Sequence, residues 1–345
     1  MPLIELTGME LPALQEYLQS IGQPKFRAAQ LFDWIHQKRV TDFDAMQNLP
    51  KALRDRLKEE ATLTTLTIQR KLESKLDGTV KYLYGLPDGE CVETVMMRYS
   101  YGNSLCVSSQ VGCKMGCAFC ASTKAGFVRS LTAGEILAQV YETERDLGVK
   151  ISHIVMMGIG EPLDNYENVL RFLRLINSPS GANISLRNLS LSTCGLVDQI
   201  DRLAEEKLGI TLSISLHASD NETRSRMMPV NRRYPMEELL AACKRYTDRT
   251  GRRISFEYAL IAGENDRPED ARRLAHCLKG QLCHINLIPV NSVKETSFHA
   301  DRKRVREFQQ ELSRLGMNAT VRRTLGADIN AACGQLRRDK IEETK

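Results

Sequence analysis

The stretch Cys113-Lys-Met-Gly-Cys117-Ala-Phe-Cys120 decides the fold of this chain. Its three cysteines stand within eight residues, and no fourth cysteine follows closely. A closed iron–sulfur or structural zinc site normally uses four protein ligands. Three thiolates on one tight loop therefore leave one vertex of a bound metal free, and a substrate or cosubstrate can bind there.

The C-x3-C-x2-C spacing is typical of radical S-adenosylmethionine (SAM) enzymes, in which SAM chelates the open iron of a cluster. Two other interpretations fit the loop by itself. It could hold a catalytic zinc ion with three cysteine ligands, or its thiols could lie in the core without any metal. The residues elsewhere in the chain decide among these three.

Composition places the chain among soluble globular enzymes. Its 345 residues are 42% hydrophobic and 26% charged, enough for one large barrel-like domain or two smaller ones. No run of 18 apolar residues occurs, and Glu5 and Glu10 interrupt the start, so neither a transmembrane helix nor a secretory signal is expected. Ten cysteines without an export signal indicate a reducing compartment. We expect a cytoplasmic protein with no membrane partner.

The net charge of +5 lies entirely in the C-terminal segment. Residues 302–345 hold 11 Lys and Arg against 6 Asp and Glu, whereas residues 1–301 hold 37 of each kind. Such a basic segment can attract phosphates. A solvated helix face with scattered arginines is an equally good interpretation of the charge alone.

The first hundred residues differ in pattern from the rest. They show helical periodicity at 10–21, 24–39 and 50–61, followed by strand-like stretches at 66–72, 79–86 and 91–99. Turn signals at Asp77-Gly78 and Pro87-Asp88-Gly89 separate these strands. We predict a small helical N-terminal domain, which could contact RNA, over residues 1–65, and a β extension or linker over 66–103.

From residue 104 onward, strands and helices alternate. The predicted strands are 104–110, 153–158, 188–193, 210–217, 254–261 and 283–290, and the predicted helices are 132–148, 164–177, 196–207, 235–250, 268–279 and 302–315. Six βα units predict parallel strands with right-handed crossovers. We therefore predict an α/β fold with a partial, TIM-like (βα)6 barrel over 104–320. A strand near 319–323 would close one edge, and a basic segment over 321–345 follows.

The motifs fall at the carboxyl ends of the predicted strands, where β/α barrels build their active sites. The cysteine loop follows the first strand, and Gly160-Glu161 follows the second. Ser192 ends the third strand, Ser215-Leu216-His217 ends the fourth, and Asn291 follows the sixth. Taken singly, each motif has an ordinary interpretation: Gly160-Glu161 can be a plain strand–helix turn with Pro162 opening the helix, and a lone Ser or His is usually a hydrogen-bonded side chain. Their convergence on one rim indicates a binding site.

Six motifs together resemble the RlmN/Cfr family of radical SAM RNA methyltransferases. In chain order they are Cys106-Val-Ser-Ser-Gln, the cysteine loop, Met157-Gly-Ile-Gly-Glu-Pro162, Ser215-Leu-His217, Asn286-Leu-Ile-Pro-Val-Asn291 and Ala331-Ala-Cys-Gly-Gln-Leu336. The resemblance runs from about residue 90 to 337 and extends over the helical N-terminus. Two stretches, Gly160-Glu-Pro-Leu163 and Ile288-Pro-Val-Asn291, are more similar to the RlmN branch than to the Cfr branch.

The resemblance implies an enzyme that methylates C2 of adenine 2503 in 23S rRNA and of adenine 37 in tRNA. It implies a [4Fe–4S] cluster on Cys113, Cys117 and Cys120, two SAM molecules per turnover, a reducing electron donor such as flavodoxin or ferredoxin, and a monomer. The SAM-binding residues that it implies are Gly160, Glu161, Ser192, Ser215, Leu216, His217 and Asn291.

The resemblance also assigns roles to residues that look ordinary in the sequence. It implies that Cys333 carries the methyl group, that Cys106 releases the product by forming a disulfide with Cys333, and that Glu93 is the base. Without it, both cysteines would be taken as inert thiols and Glu93 as an exposed strand residue. For RNA binding, the basic tail offers four phosphate contacts: Arg322, Arg323, Arg337 and Arg338.

Three alternatives come from other classes. A radical SAM enzyme that acts on a peptide or small metabolite would keep the cluster but need not have Cys106 and Cys333. A zinc-containing RNA-binding module without catalysis would not explain the residues at the strand ends. A Cfr-type enzyme would methylate C8 of the same adenine in place of C2.

Overall fold

The computed structural model describes residues 3–124, 126–290, 299–329 and 331. The N-terminal part is helical, as predicted, with α1 (Leu11–Ser20), α2 (Phe26–His36) and α3 (Lys51–Glu60) burying their apolar faces in one core. A parallel pair, β1 (Ile4–Glu5) and β2 (Ala61–Thr62), joins the two ends of this part. The sequence did not predict this pair, because two-residue strands have no periodicity to detect.

The predicted β extension forms an antiparallel meander of β3 (Thr67–Glu73), β4 (Val80–Gly85) and β5 (Cys91–Tyr99). It is continuous with the barrel sheet, because β5 pairs antiparallel with β6 (Gly102–Cys106). The extension therefore lengthens one side of the barrel sheet.

The first predicted barrel strand, 104–110, is shorter than expected. The strand β6 ends at Cys106, and the chain then forms a separate hairpin of β7 (Gln110–Gly112) and β8 (Phe127–Ser130). After β6 the main chain is hydrogen-bonded to the loop that follows the next barrel strand. The N–H groups of Ser109 and Gln110 both donate to the carbonyl of Ile159 in that loop. The cysteine loop therefore lies inside this hairpin and does not directly follow a barrel strand.

The other barrel strands are parallel and lie next to one another in chain order: β9 (His153–Met156), β10 (Leu189–Thr193), β11 (Thr211–Ser215), β12 (Ile254–Leu260), β13 (Cys283–Pro289) and β14 (Ala319–Val321). The ten-stranded sheet has the order β14-β13-β12-β11-β10-β9-β6-β5-β4-β3. Within the described residues β14 and β3 are its two edges, so the barrel is partial, as predicted.

All six predicted barrel helices are present: α5 (Ala133–Leu147), α6 (Tyr166–Asn177), α7 (Val197–Glu205), α9 (Met236–Thr250), α10 (Pro268–Cys277) and α11 (Arg302–Arg314). A capping box between Thr132 and Glu135 fixes the start of α5. Two short helices, α4 (Ala121–Lys124) and α8 (Asn221–Met227), were not predicted. In the described part of the chain, none of the helices has the length and apolar character that a membrane span needs.

The two faces of the barrel strands differ in chemistry. Side chains on the outer face, such as Leu191, Leu212 and Phe256, are buried in the same apolar core as Leu239 of α9 and Leu274 of α10. The alternating inner positions are mainly hydroxyl and other polar groups, which line cavities: Ser104, Ser190, Ser192, Ser213, Ser215, Ser255, Glu257 and Asn286. The barrel interior is therefore hollow and polar, whereas a TIM barrel fills this space with branched apolar side chains.

Candidate metal and cofactor site

A cavity of ≈ 390 Å³ lies at the carboxyl ends of the barrel strands, and we call it the upper cavity. Nine of the residues predicted from the sequence line it: Cys106, Cys113, Cys117, Cys120, Gly160, Glu161, Ser192, Ser215 and His217. Two further predicted residues, Asn291 and Cys333, lie outside the described residues. The structure thus brings together residues that are up to 111 positions apart in the sequence.

Backbone hydrogen bonds hold the cysteine loop in a tight curve. The N–H of Cys113 donates to the carbonyl of Gly126, which closes the hairpin, and the N–H of Cys120 donates to the carbonyl of Cys117 at 3.1 Å. The N–H of Ala118 donates to the carbonyl of Met227 at 2.9 Å, which ties the loop to the end of α8. The loop held in this way places all three cysteines in the lining of the upper cavity.

Two thiols of the loop, Cys113 and Cys117, lie where a neutral thiol is strongly favoured over a free thiolate. Burial raises the pKa of Cys113 to about 12 and raises the pKa of Cys117 further, and the neighbouring cysteines add to both shifts. Such thiols ionise only beside a cation, and a coordinated metal deprotonates them. Cysteine thiolates are the usual ligands of iron–sulfur clusters. The donor set fits an iron–sulfur cluster with three thiolate ligands.

The turn after β9 places Glu161 deep in the wall of the upper cavity. One carboxylate oxygen accepts from the N–H of Leu163 at 3.0 Å, and the other accepts from the N–H of Cys194 at 2.8 Å. Gly160 has a φ of 108°, and a Cβ there would lie 2.6 Å from the Cβ of Gln110. Only glycine allows this approach. The carboxylate of Glu161 lines the upper cavity, where it can face a ligand amino group.

Burial raises the pKa of Glu161, and the hydrogen bonds from the Cys194 and Leu163 region oppose this shift. The carboxylate has two structural roles. It caps the 3-10 helix Pro162–Asn165, and it connects the end of β9 to the end of β10. Glu161 can therefore cap an ordinary strand–helix turn and also line a binding site, which were the two interpretations of the sequence.

The ends of β10 and β11 present two serines and a histidine to the upper cavity. The hydroxyls of Ser192 and Ser215 lie 3.5 Å apart. His217 has a φ of 56°, and its Nδ1 accepts from the N–H of Ala259 at 2.9 Å, so the proton of the neutral ring is on Nε2. Burial lowers the pKa of His217 to about 3. The neutral ring also packs edge-on against Phe119 of the cysteine loop, with centroids 4.9 Å apart.

Leu216 differs from its two neighbours because its side chain lies in the apolar core and does not line the cavity. Its carbonyl accepts from Nε of Arg224 at 3.2 Å. The same fully buried guanidinium donates to the carbonyl of Cys194 at 2.7 Å and to Oδ1 of Asn231 at 2.9 Å. Burial lowers the pKa of Arg224 only to about 10, so the guanidinium stays charged near neutral pH. Arg224 thus joins the ends of β10 and β11.

Glu93 is buried, not exposed as its sequence alone would indicate. Its Oε2 lies 2.9 Å from Nζ of Lys81, which is also fully buried. Glu93 lies two residues before Val95 on β5, so both side chains point to the same face of the sheet. Val95 lines the upper cavity and lies opposite Cys106 on β6. The Lys81–Glu93 pair therefore lies on the cavity-facing side of the sheet, near Cys106.

The segment that leads to Cys333 packs beside Cys106. Leu325 and Ala331 contact the small apolar cluster that contains Cys106, and both line the upper cavity. The turn between β3 and β4 holds this segment: Gly326 N–H donates to Asp77 at 2.8 Å, and the Ser74 hydroxyl donates to Asp328 at 2.6 Å. Ala331 precedes Cys333 by two residues, and Arg337 and Arg338 also lie outside the described residues.

Sequence reasoning missed three residues that shape this site: Lys81, Cys194 and Arg224. A signal existed for Cys194, because it directly follows a predicted strand, where the other site residues also lie. Lys81 and Arg224 gave no signal, since a charged side chain in a strand or helix is normally expected at the surface.

Comparisons with known proteins agree with this geometry. A family model described as the ribosomal RNA large subunit methyltransferase N-terminal domain matches residues 4–63, and the radical SAM superfamily model matches residues 107–275. A protein of Clostridium acetobutylicum named probable dual-specificity RNA methyltransferase RlmN is 50% identical, covering 96% of each chain. The chain belongs to the RlmN family of radical SAM RNA methyltransferases.

Two further members of the comparison support the same conclusion. An RlmN-named relative from Thermoanaerobacter sp. is 50% identical over 98% of this chain and 99% of its own. The crystal structure of a radical SAM methyltransferase from Sphaerobacter thermophilus has a TM-score of 0.92 and 45% identity, and it covers 97% of this chain and 99% of that one. The predicted RlmN resemblance, radical SAM fold and RNA methyltransferase activity are thereby confirmed.

Proposed function

We propose that this RlmN-family enzyme methylates C2 of adenine 2503 in 23S rRNA and C2 of adenine 37 in tRNA, with Cys333 as methyl carrier and Cys106 as releasing thiol. One observation carries the proposal. The upper cavity contains Cys106 together with the three cysteines of the loop, and the segment that leads to Cys333 packs against Cys106. A radical SAM enzyme for another substrate class would not need both Cys106 and Cys333.

The cysteine loop would hold a [4Fe–4S] cluster through Cys113, Cys117 and Cys120, leaving one iron for SAM. SAM would contact Gly160 and Glu161 at the turn after β9, and the strand ends at Ser192, Ser215, Leu216, His217 and Asn291. When bound, the cluster and SAM supply the radical chemistry that an electron-poor aromatic carbon requires. Each turnover would consume two SAM molecules, one as the methyl source for Cys333 and one as the radical source.

The chain's own residues would then complete the reaction. Once a methylene group links the Cys333 sulfur to C2, the ring becomes aromatic again by losing one electron, which the cluster would take back, and the C2 proton, which Glu93 accepts while the ammonium of Lys81 stays beside it. The thiolate of Cys106 attacks the Cys333 sulfur and forms an S–S bond. The bond between sulfur and methylene carbon breaks, its electron pair stays on carbon, and that carbon takes up a proton to become the methyl group. A reductant must afterwards restore both thiols.

RNA binding would use the basic surface beside the upper cavity. Arg322 and Arg323 are exposed, and both line this cavity. The adenine must leave the folded RNA to reach C2, as base-modifying enzymes require. We further propose that the enzyme acts in the cytoplasm as a monomer and takes electrons from a carrier such as flavodoxin or ferredoxin.

Methylation of defined RNAs tests this proposal. The reconstituted enzyme is incubated anaerobically with a 23S rRNA fragment or a tRNA and with SAM that carries a deuterated methyl group. Mass spectrometry of the digested RNA should then show 2-methyladenosine at the two named positions, and a substrate with guanine at the target should stay unmodified. The 8-methyl isomer would assign the chain to the Cfr-type reaction, and unmodified RNA would contradict the proposal.

A further inference from the structure

A second cavity, of ≈ 480 Å³, occupies the opposite half of the barrel interior, and we call it the lower cavity. The inner positions of the barrel strands create it, because small hydroxyl side chains stand where a packed barrel has branched apolar ones. Ser190 lies opposite Thr211, and Ser213 lies opposite Ser255, so the hydroxyls form a continuous row across three strands. The wall offers donors and acceptors to a polar ligand.

The mouth of the lower cavity carries two arginines, Arg252 and Arg253, at the start of β12. No carboxylate in the described ranges forms an ion pair with either guanidinium. The surface arginines of α9 differ in this respect, since Arg245 pairs with Asp201 and Arg249 pairs with Glu205. Nε of Arg252 donates to the carbonyl of Ile210 at 3.4 Å, which orients this guanidinium without neutralising its charge. Two such positive charges at the mouth of a polar cavity favour a phosphate ligand.

The acidic group of the lower cavity lies away from the two arginines, because Glu257 is four residues beyond Arg253, about 13 Å along the extended chain of β12. Glu257 accepts from the hydroxyl of Ser255 at 2.8 Å and from the amide of Asn286 at 2.6 Å, so both carboxylate oxygens are already hydrogen-bonded. The ring of His284 adds a further polar group. Its Nε2 lies 2.9 Å from the Thr320 hydroxyl, and its buried Nδ1 has no partner in the part of the chain described.

Two tyrosines complete the mouth of the lower cavity. Tyr99 and Tyr101 are stacked, with ring centroids 4.9 Å apart and planes 8° from parallel. Tyr101 nevertheless keeps 62% of its surface exposed. An exposed aromatic ring beside arginines is the arrangement with which proteins hold unpaired nucleotides, since every base can stack on a ring.

The lower cavity adjoins the upper one, because Met97, Met157, Glu257 and Arg322 line both. We infer that the lower cavity is a nucleotide subsite for the substrate RNA. Arg252 and Arg253 bind phosphate, Tyr101 stacks on an unpaired base, and the row of hydroxyls contacts ribose. This inference rests on the proposed RNA substrate and adds a second point of contact. The two ends of the barrel interior lie about 20 Å apart, which is the length of the seven-residue strand β12.

The test measures RNA affinity of the cluster-loaded enzyme over a salt titration. The double variant Arg252→Gln/Arg253→Gln should weaken binding about tenfold and reduce the slope of log affinity against log salt by about 1.4, as expected for two lost contacts to single-stranded phosphates. Tyr101→Ser should weaken binding about tenfold without changing the slope. The control Arg245→Gln/Arg249→Gln removes the same charge from α9 and should stay within about twofold of the wild type.

A third variant tests the cavity without changing charge. Ser190→Leu should fill part of the lower cavity and lower methylation of RNA, while SAM affinity and the iron content stay at the wild-type level. Ser190 lines the lower cavity and is not among the residues of the upper one. The wild-type protein, tested first, separates the two claims, because absence of RNA methylation there would contradict the proposed function itself.

With an active wild type, the subsite is contradicted if the Arg252/Arg253 variant binds RNA like the Arg245/Arg249 control. It is also contradicted if that variant loses affinity for inorganic phosphate or adenosine monophosphate but keeps its affinity for RNA, since the cavity would then bind a small anion. A parallel loss of RNA affinity and salt dependence in the lower-cavity variants alone supports it.

Discussion

The upper and lower cavities are built by the same barrel strands, yet their linings differ. The upper cavity presents the thiols of the cysteine loop, thioethers and the ring of Phe119, whereas the lower cavity presents mainly hydroxyls, tyrosines and the guanidiniums of Arg252 and Arg253. Along one strand, β10, the inner position changes only from Ser190 in the lower cavity to Ser192 in the upper. The loops after the strands, more than the strands, therefore supply the sulfur-rich chemistry of the upper cavity.

The largest difference between the cavities should appear when a cysteine of the loop is removed. Protein purified anaerobically should contain about four irons and four sulfides per chain, as one [4Fe–4S] cluster requires. Changing Cys113, Cys117 or Cys120 to Ala should abolish the cluster and all methylation, because two thiolates cannot hold it. Iron and sulfide analysis measures this directly.

Cys277→Ala is the matched control for the loop cysteines. This half-buried thiol lies on α10 and does not line the upper cavity, so its removal should leave the iron content unchanged. Colourless protein that holds stoichiometric zinc after anaerobic reconstitution would contradict the assignment of the loop to an iron–sulfur cluster.

A smaller difference is expected between two arginines. Arg224 is fully buried beside the upper cavity and donates to the carbonyls of Cys194 and Leu216. Arg224→Met should lower the free energy of unfolding by about 3 kcal/mol, because these buried acceptors would lose their donor. Arg253→Met, at the exposed mouth of the lower cavity, should change it by less than about 0.5 kcal/mol. Urea unfolding compares the two, and equal effects would mean that Arg224 does not join the strand ends.

The smallest expected difference concerns the pH dependence of stability. Burial lowers the pKa of His217 to about 3, whereas an unfolded histidine titrates near 6.5. Between these values the unfolded chain binds a proton that the folded chain does not, so stability falls as pH falls from about 6.5 towards 3. Between pH 7 and 5, wild-type protein should lose about 2 kcal/mol more than His217→Gln.

His284→Gln provides the lower-cavity counterpart. Burial lowers the pKa of His284 too, but this ring is only partly buried, so its removal should change the pH dependence less than removal of His217. Urea unfolding at a series of pH values measures both. If the free energy of unfolding changed equally with pH in the two variants, the deeper burial of His217 in the upper cavity would be contradicted.

Much of this architecture could be predicted from the sequence. The barrel strands and helices were predicted because periodicity is strong in long segments. The predicted residues that line the upper cavity came from three signals: the spacing of the cysteine loop, the strand ends that parallel strands bring together, and, for Cys106, the family resemblance. The hairpin of β7 and β8 could not be found, because its position depends on hydrogen bonds from Ser109 and Gln110 to the distant Ile159. The buried Lys81–Glu93 pair was equally hidden, since each charge is buried only because the other compensates it.

The lower cavity could not be predicted from the sequence either. A serine in a strand has no sign that shows whether it faces solvent or an enclosed space, and only the pairing of Ser190 with Thr211 and of Ser213 with Ser255 reveals the row of hydroxyls. The turn between β3 and β4 was predicted as a turn, but its hydrogen bonds to Gly326 and Asp328 connect residues about 250 positions apart.

The central claim is that Cys106 and Cys333 have different functions, and one measurement tests it most directly. Cys106→Ala should still load a methyl group on Cys333 and still react with the adenine, but it has no thiolate to release the product. It should therefore accumulate a covalent protein–RNA adduct, seen on denaturing gels as a slow band that nuclease treatment removes. Cys333→Ala should form no adduct and no methylated RNA. Normal turnover by Cys106→Ala, or RNA methylation by Cys333→Ala, would contradict the account.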